Sequence, residues 1–152
     1  MPEVPPPGAA VPADDALALH EVLARYGHLI DERIFDRFDE VFTADVVYDA
    51  SDFGDPVLHG VDAVAEQMRT TDAHPLAHHA TNILLDPRPD GSIAVLSKGL
   101  GIGPKGRVGS VVYVDRAVRT DAGWRLASRT ALLRRPEQGE ALATGHRGNR
   151  ST

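Results

Sequence analysis

Histidine, carboxylate and tyrosine side chains are the groups of this 152-residue chain that could move a proton. His78 and His79 stand side by side in a run of alternating apolar residues, so their side chains leave opposite faces of a strand and only one can enter a cavity. An imidazole serves as general acid or base near neutral pH, and His78, which shares a strand face with Asn82, is the expected inward one. Asp31 falls at a corner between two helical patterns. A carboxylate facing an apolar cavity has its charged form disfavoured by desolvation, which tunes it for proton transfer; at such a corner it equally caps the following helix. Tyr26, five residues earlier, reads either as a hydroxyl donor or as amphipathic core.

Other polar groups are more ambiguous. His74, His78 and His79 cluster, but Pro75 interrupts the i, i+4 pair that would hold zinc, so no metal is expected. Arg129 lies in a strand-like run on the parity of Ala127, Ala131 and Leu133, and a lone guanidinium there wants a substrate oxygen or a carboxylate such as Asp115. Tyr48, Tyr113 and Trp124 suit a ring-containing ligand as donors or flat walls, and suit a plain core equally well. Gly99-Leu-Gly-Ile-Gly103 joins two strands without a following helix, so it is a turn and not a nucleotide loop. No Gly-x-Ser-x-Gly elbow or Walker lysine motif is present.

The elements that position these groups follow from the periods. Leu19, Val22, Leu23, Tyr26 and Ile30 mark a first amphipathic helix, with Asp14 and Asp15 as cap candidates. Ile34, Phe35, Phe38, Val41 and Phe42 mark a second, shorter helix after a tight corner. A short strand at 46–48, a turn at 51–56, a small strand at 57–59 and a third helix opened by Gly60 come next. From residue 77 the period changes to two, giving strands at 77–86, 92–100, 107–119 and 124–133 separated by glycine-bearing turns. Strands this long must bend, with Gly99, Gly101 and Gly109 as expected bend points. Helices first and an antiparallel meander afterwards predict an α+β fold: a strongly curved, cone-shaped sheet of mixed or antiparallel strands around three helices, in the order α-α-β-β-α-β-β-β-β, enclosing a pocket.

Composition sets outer limits. Hydrophobic residues make up 42% and charged residues 25%, ordinary for one globular domain. A Pro-rich leader (1–13) is expected to be disordered, the domain spans 14–134, and 135–152 reads as a flexible tail. Sixteen basic against 22 acidic residues leave a net charge of −6, the wrong sign for nucleic acid or an anionic membrane. With no cysteine there is no disulfide, thiolate metal site or cysteine nucleophile. The absence of a signal-like or membrane-spanning stretch predicts a cytoplasmic protein, and a basic complement of arginine with only two lysines suggests a GC-rich bacterial gene.

Three passages carry a resemblance to a known family: Tyr26-Gly-His-Leu-Ile-Asp31, His78-His79-Ala-Thr-Asn82, and Gly123-Trp124-Arg125-Leu126 through Arg129. The element order resembles the nuclear transport factor two fold, and the passages are similar to its SnoaL-like branch, which includes polyketide cyclases, dehydratases, ketosteroid isomerases and epoxide hydrolases as well as modules without catalysis. The resemblance implies that Tyr26 and Asp31 stand at the cavity wall, that His78 is catalytic with them, and that Tyr48, His79, Asn82, Tyr113, Trp124 and Arg129 contact substrate. It implies a homodimer and a lyase or isomerase, run without cofactor, acting on a small hydrophobic oxygenated molecule such as a polyketide or steroid-like intermediate. A ligand-binding or dimerisation module is the alternative, and an epoxide hydrolase with an Asp–Arg–Asp relay stands behind both.

Overall fold

The computed structural model describes residues 1–8, 10–72 and 74–135. The tail expected from 135 onward lies, apart from Arg135, outside the described residues. Among the described residues before Ala13 there is no helix or strand, and Val11 packs against the core. The chain then forms helix α1 (Ala13–Asp31), a 3-10 helix (Phe35–Glu40), strand β1 (Phe42–Asp49), strand β2 (Val57–His59) and helix α2 (Val61–Thr70). Four long strands follow: β3 (Ala77–Pro87), β4 (Ile93–Ile102), β5 (Val108–Thr120) and β6 (Gly123–Leu133). They make one curved, unclosed six-stranded sheet in the order β2-β1-β6-β5-β4-β3. Only the β1/β6 pair is parallel. No helix among the described residues is long and apolar enough to cross a membrane.

The apolar stripe of α1 is buried as its period predicts, with Leu19, Val22, Leu23, Tyr26, Leu29 and Ile30 in the core. Its start differs from expectation. Pro12 occupies the cap position without a side-chain bond, and Asp14 and Asp15 sit in the first turn, where negative charge faces the positive end of the helix dipole. Asp15 instead accepts a hydrogen bond from the Trp124 indole at 2.9 Å and pairs with Arg119. The far end closes tightly. The Arg33 N–H donates to the Ile30 carbonyl (3.2 Å) and the Ile34 N–H to the Leu29 carbonyl (2.8 Å), a Schellman pair around Arg33 at φ +56°. That closure turns the chain immediately after Asp31, the last residue of the helix.

The irregularities in register do not fall at the expected glycines. Pairing of β4 with β5 runs unbroken through Gly99, Gly101 and Gly109. Register shifts instead fall between Thr81 and Leu84 in β3, at Ala127 opposite the Arg116/Ala117 step, and within β1. The Ala127 irregularity reverses parity along β6, so Trp124 and Leu126 before it and Arg129 and Ala131 after it are all buried. Alternate residues of β5 leave opposite faces of the sheet, with Val112 buried on the outer one. Tyr113, Asp115 and Ala117 are buried beneath the helices, whereas Val108, Val112, Val114 and Val118 take the opposite parity, on the outer face.

Two glycines make room instead of bends. A Cβ on Gly99 would stand 2.4 Å from the Tyr113 ring, which lies across β4 at that point. A Cβ on Gly27 would stand 2.8 Å from the His78 carbonyl oxygen, because α1 rests directly on the backbone of β3. For Gly27→Ala, helix propensity alone favours alanine by about 0.5–1 kcal/mol. Overpacking against backbone, which cannot rotate away, costs about 1–3 kcal/mol. The second effect wins, and thermal denaturation is expected to show a lowered melting temperature for Gly27→Ala; an unchanged or raised value would refute the close approach.

Candidate functional site

The end of α1 and the start of β3 bring Asp31 and His78 into direct contact. Asp31 Oδ1 lies 2.6 Å from His78 Nδ1, and Oδ2 accepts the backbone N–H of His78 at 3.0 Å. Their side chains are 21% and 14% exposed, so the pair sits at the rim and not in the deep interior. The carboxylate and the imidazole therefore form a bonded dyad. The corner after Asp31 aims the carboxylate across at β3, and close approach at Gly27 shortens the gap. A carboxylate accepting from Nδ1 fixes the ring orientation and leaves Nε2 outside that bond. Among the described residues Nε2 has no partner.

His74 joins this group. Its ring lies 6.3 Å from that of His78, centre to centre, at 65°, and its Nε2 is 2.9 Å from the Met68 carbonyl oxygen near the end of α2. Among the described residues no three histidine, aspartate or glutamate side chains are grouped to hold a metal ion.

A second cluster lies deeper. Tyr26, Tyr48, Tyr113 and Arg129 are all buried, and they pack on one another instead of lining an open pocket. The Tyr26 and Tyr48 hydroxyls share a hydrogen bond at 3.1 Å. The Arg129 guanidinium lies over the faces of Tyr26 and Tyr113 at 4.4 and 4.2 Å, and donates from Nε and Nη2 to the two Asp115 oxygens at 2.9 and 2.7 Å. Of the two partners open to Arg129 in the sequence, the structure supplies the carboxylate. Burial pushes the Tyr48 and Tyr113 phenols above their usual range, so both stay neutral donors. Burial alone works against the guanidinium charge, but Asp115 outweighs it and holds Arg129 protonated.

The remaining expected contacts lie elsewhere. His79 is exposed, as its opposite parity to His78 requires. Asn82 is also exposed: it sits in the β3 irregularity at φ +52°, where an inserted residue breaks the alternation that would have placed it with His78. Trp124 is buried against Asp15 and the start of α1, where it lines a hollow apart from Asp31 and His78. Sequence reasoning missed Ser97, fully buried on the inward parity of β4, with no partner for its hydroxyl among the described residues. A polar residue in phase with Ile93 and Val95 was the available signal. One hollow of about 560 Å³ lies over the outer parity of the sheet at Val114, Arg116, Ser128 and Thr130. Another of about 370 Å³ lies between α1 and the β5–β6 turn, and neither is lined by Asp31 or His78.

Residues 12–130 match the SnoaL-like domain, and the chain belongs to that family. No curated protein matches it. Among solved structures it is similar to the Kfla4162 protein of Kribbella flavida, at 20% identity and a TM-score of 0.70 over 80% of this chain and 92% of that one. It is similar to a nuclear transport factor two-like protein with a cystatin-like fold from Novosphingobium aromaticivorans, at 23% identity and a TM-score of 0.65 over 85% and 88% of the two chains. A candidate scytalone dehydratase from the same organism aligns at 19% identity and a TM-score of 0.67, over 80% of this chain and 85% of its own. These likenesses establish the fold.

The buried ion pair gives a test of the interior. Arg129→Met strands the Asp115 carboxylate in the core and is expected to cost about 3–5 kcal/mol in urea denaturation. Adding Asp115→Val to it removes the stranded charge and should recover most of that loss; no recovery would mean that Arg129 holds the fold by another route.

Proposed function

We propose that this protein is an acid–base enzyme of the dehydratase, cyclase or isomerase type, with His78 as the group that moves the proton and Asp31 as the group that holds it. The observation that carries the reading is the two-point grip of one carboxylate on the backbone and ring of a single histidine. The substrate class is a small, mostly apolar, oxygenated ring compound. This is in keeping with family membership and with the neighbour described as a candidate scytalone dehydratase.

In an elimination, His78 Nε2 takes the proton from the carbon beside a carbonyl, and the electron pair of that C–H bond forms the new C=C as the C–O bond to the departing hydroxyl breaks. The imidazolium returns its proton to the leaving oxygen, which departs as water. In an isomerisation the same proton goes back to a different carbon. Asp31 stabilises the imidazolium between the two transfers without taking the proton itself. Tyr26, its hydroxyl paired with Tyr48 in the packed interior, supports the site from beneath and is not assigned a proton transfer. The epoxide-hydrolase reading finds no support, since Arg129 engages one aspartate and two aromatic faces, and among the described residues no second aspartate reaches it.

The test is a panel of hydroxylated ring ketones incubated in D2O and followed by mass spectrometry for deuterium uptake beside the carbonyl and for loss of water. Wild-type protein should catalyse one or both, and Asp31→Asn and His78→Ala should each slow the reaction by about 10²–10⁴-fold with melting behaviour preserved. Variants as active as wild type would end the assignment. Tight binding of a ketone with no exchange in the wild type would point to the non-catalytic module instead.

A further inference from the structure

His74 stands in the link between α2 and β3, four residues before His78, and belongs to neither element. Two independent contacts fix its ring. Nε2 lies 2.9 Å from the Met68 carbonyl oxygen, which can only accept, so this nitrogen carries a proton and donates it. The ring also leans on the buried Phe35, 6.2 Å centre to centre at 36°. Held by α2 on one side and the 3-10 helix on the other, it presents itself edge-to-face to His78.

His78 is thus gripped from three directions. Its carbonyl is pressed by α1 at Gly27, its N–H and Nδ1 are bound by Asp31, and its ring abuts His74. The first two contacts come from α1 and fix the backbone and one edge of the ring. Rotation of the ring away from Asp31 would break the Nδ1 contact and leave both backbone contacts intact, and His74 is the ring packed against it. We propose that His74 is a positioning residue for His78, closing off that rotation and keeping the Asp31–His78 hydrogen bond made.

A simpler role for His74 would be to cap α2. The Thr70 and Thr71 hydroxyls already bond the Glu66 and Gln67 carbonyls in that turn, and His74 adds the Met68 carbonyl. Capping alone affects helix stability and leaves His78 untouched, whereas a positioning role changes the His78 ring itself. The proposal rests on reading His78 as the working group, but it is tested without turnover, so its failure would leave the assignment of Asp31 and His78 to stand or fall on the ketone assay.

The experiment is proton NMR of the whole protein, following the hydrogen-bonded Nδ1 proton of His78 and its exchange with solvent in wild type, His74→Ala, His74→Phe and His74→Gln. His74→Ala should accelerate that exchange at least about tenfold. His74→Phe, which keeps a ring against His78 but cannot bond Met68, should restore slow exchange. His74→Gln, which keeps the donor to Met68 and loses the ring, should exchange as fast as His74→Ala. Exchange at the wild-type rate in His74→Ala would overturn the proposal, and so would slow exchange in the glutamine variant with fast exchange in the phenylalanine one, because that pattern assigns the effect to the cap. Should His74→Ala fail to fold, the Phe and Gln pair decides the question alone.

Discussion

The contact on which the site depends is the seating of α1 upon β3. A helix backbone approaches a strand backbone this closely only where a side chain is missing, and Gly27 is that place, with the His78 carbonyl oxygen directly over it. Four residues beyond Gly27, just over one turn at 3.6 residues per turn, comes Asp31. The helix therefore meets β3 twice near its end, once through bare backbone and once through a carboxylate, and both contacts land on His78. A shift of α1 by even one ångström would lengthen a 2.6 Å hydrogen bond beyond useful range.

Beneath that junction the interior solves a different problem. A buried guanidinium is costly unless its donors and its charge are both met. Arg129 meets its charge and two of its donor atoms with a bidentate carboxylate on the neighbouring strand and packs against the faces of Tyr26 and Tyr113, while its Nη1 has no hydrogen-bond partner among the described residues. The result ties β5, β6 and α1 together at one point. It also fixes Tyr26, and so the stretch of α1 that ends in Asp31. Charge buried in the core thus serves the geometry at the rim.

Much of this was legible in the residues. The apolar stripe of α1, the alternation of the four long strands and the 57–59 strand all appear where the periods place them, because burial on one face is what both periods record. The opposite parities of His78 and His79 were equally plain. What escaped was whatever breaks a period without a glycine or proline to mark it. Ala127 carries no sign that it will shift β6 by one residue, yet that shift brings Leu126 and Arg129 to the same side. Asn82 took the wrong face for the same reason. Arg33 closes α1 in a left-handed conformation that glycine usually supplies, so the corner was visible only as a change of pattern. Asp31 and His78, paired in the sequence reading, do lie together, but their direct bond was not legible, since the distance between two elements is a tertiary quantity that spacing along the chain does not encode.

The placement of Asp31 has an electrostatic consequence for its pairing with His78. As the last residue of α1 it stands at the negative end of the helix dipole. That end of the helix repels a carboxylate but welcomes a cation. The partner within reach is the imidazole of His78, so a positive charge on that ring would be met by a carboxylate at 2.6 Å and by the negative end of a 19-residue helix together. The contact with His78 is thus what lets a carboxylate stand at the C-terminal end of a helix: imidazole, backbone N–H and carboxylate form one unit at the junction of α1 and β3.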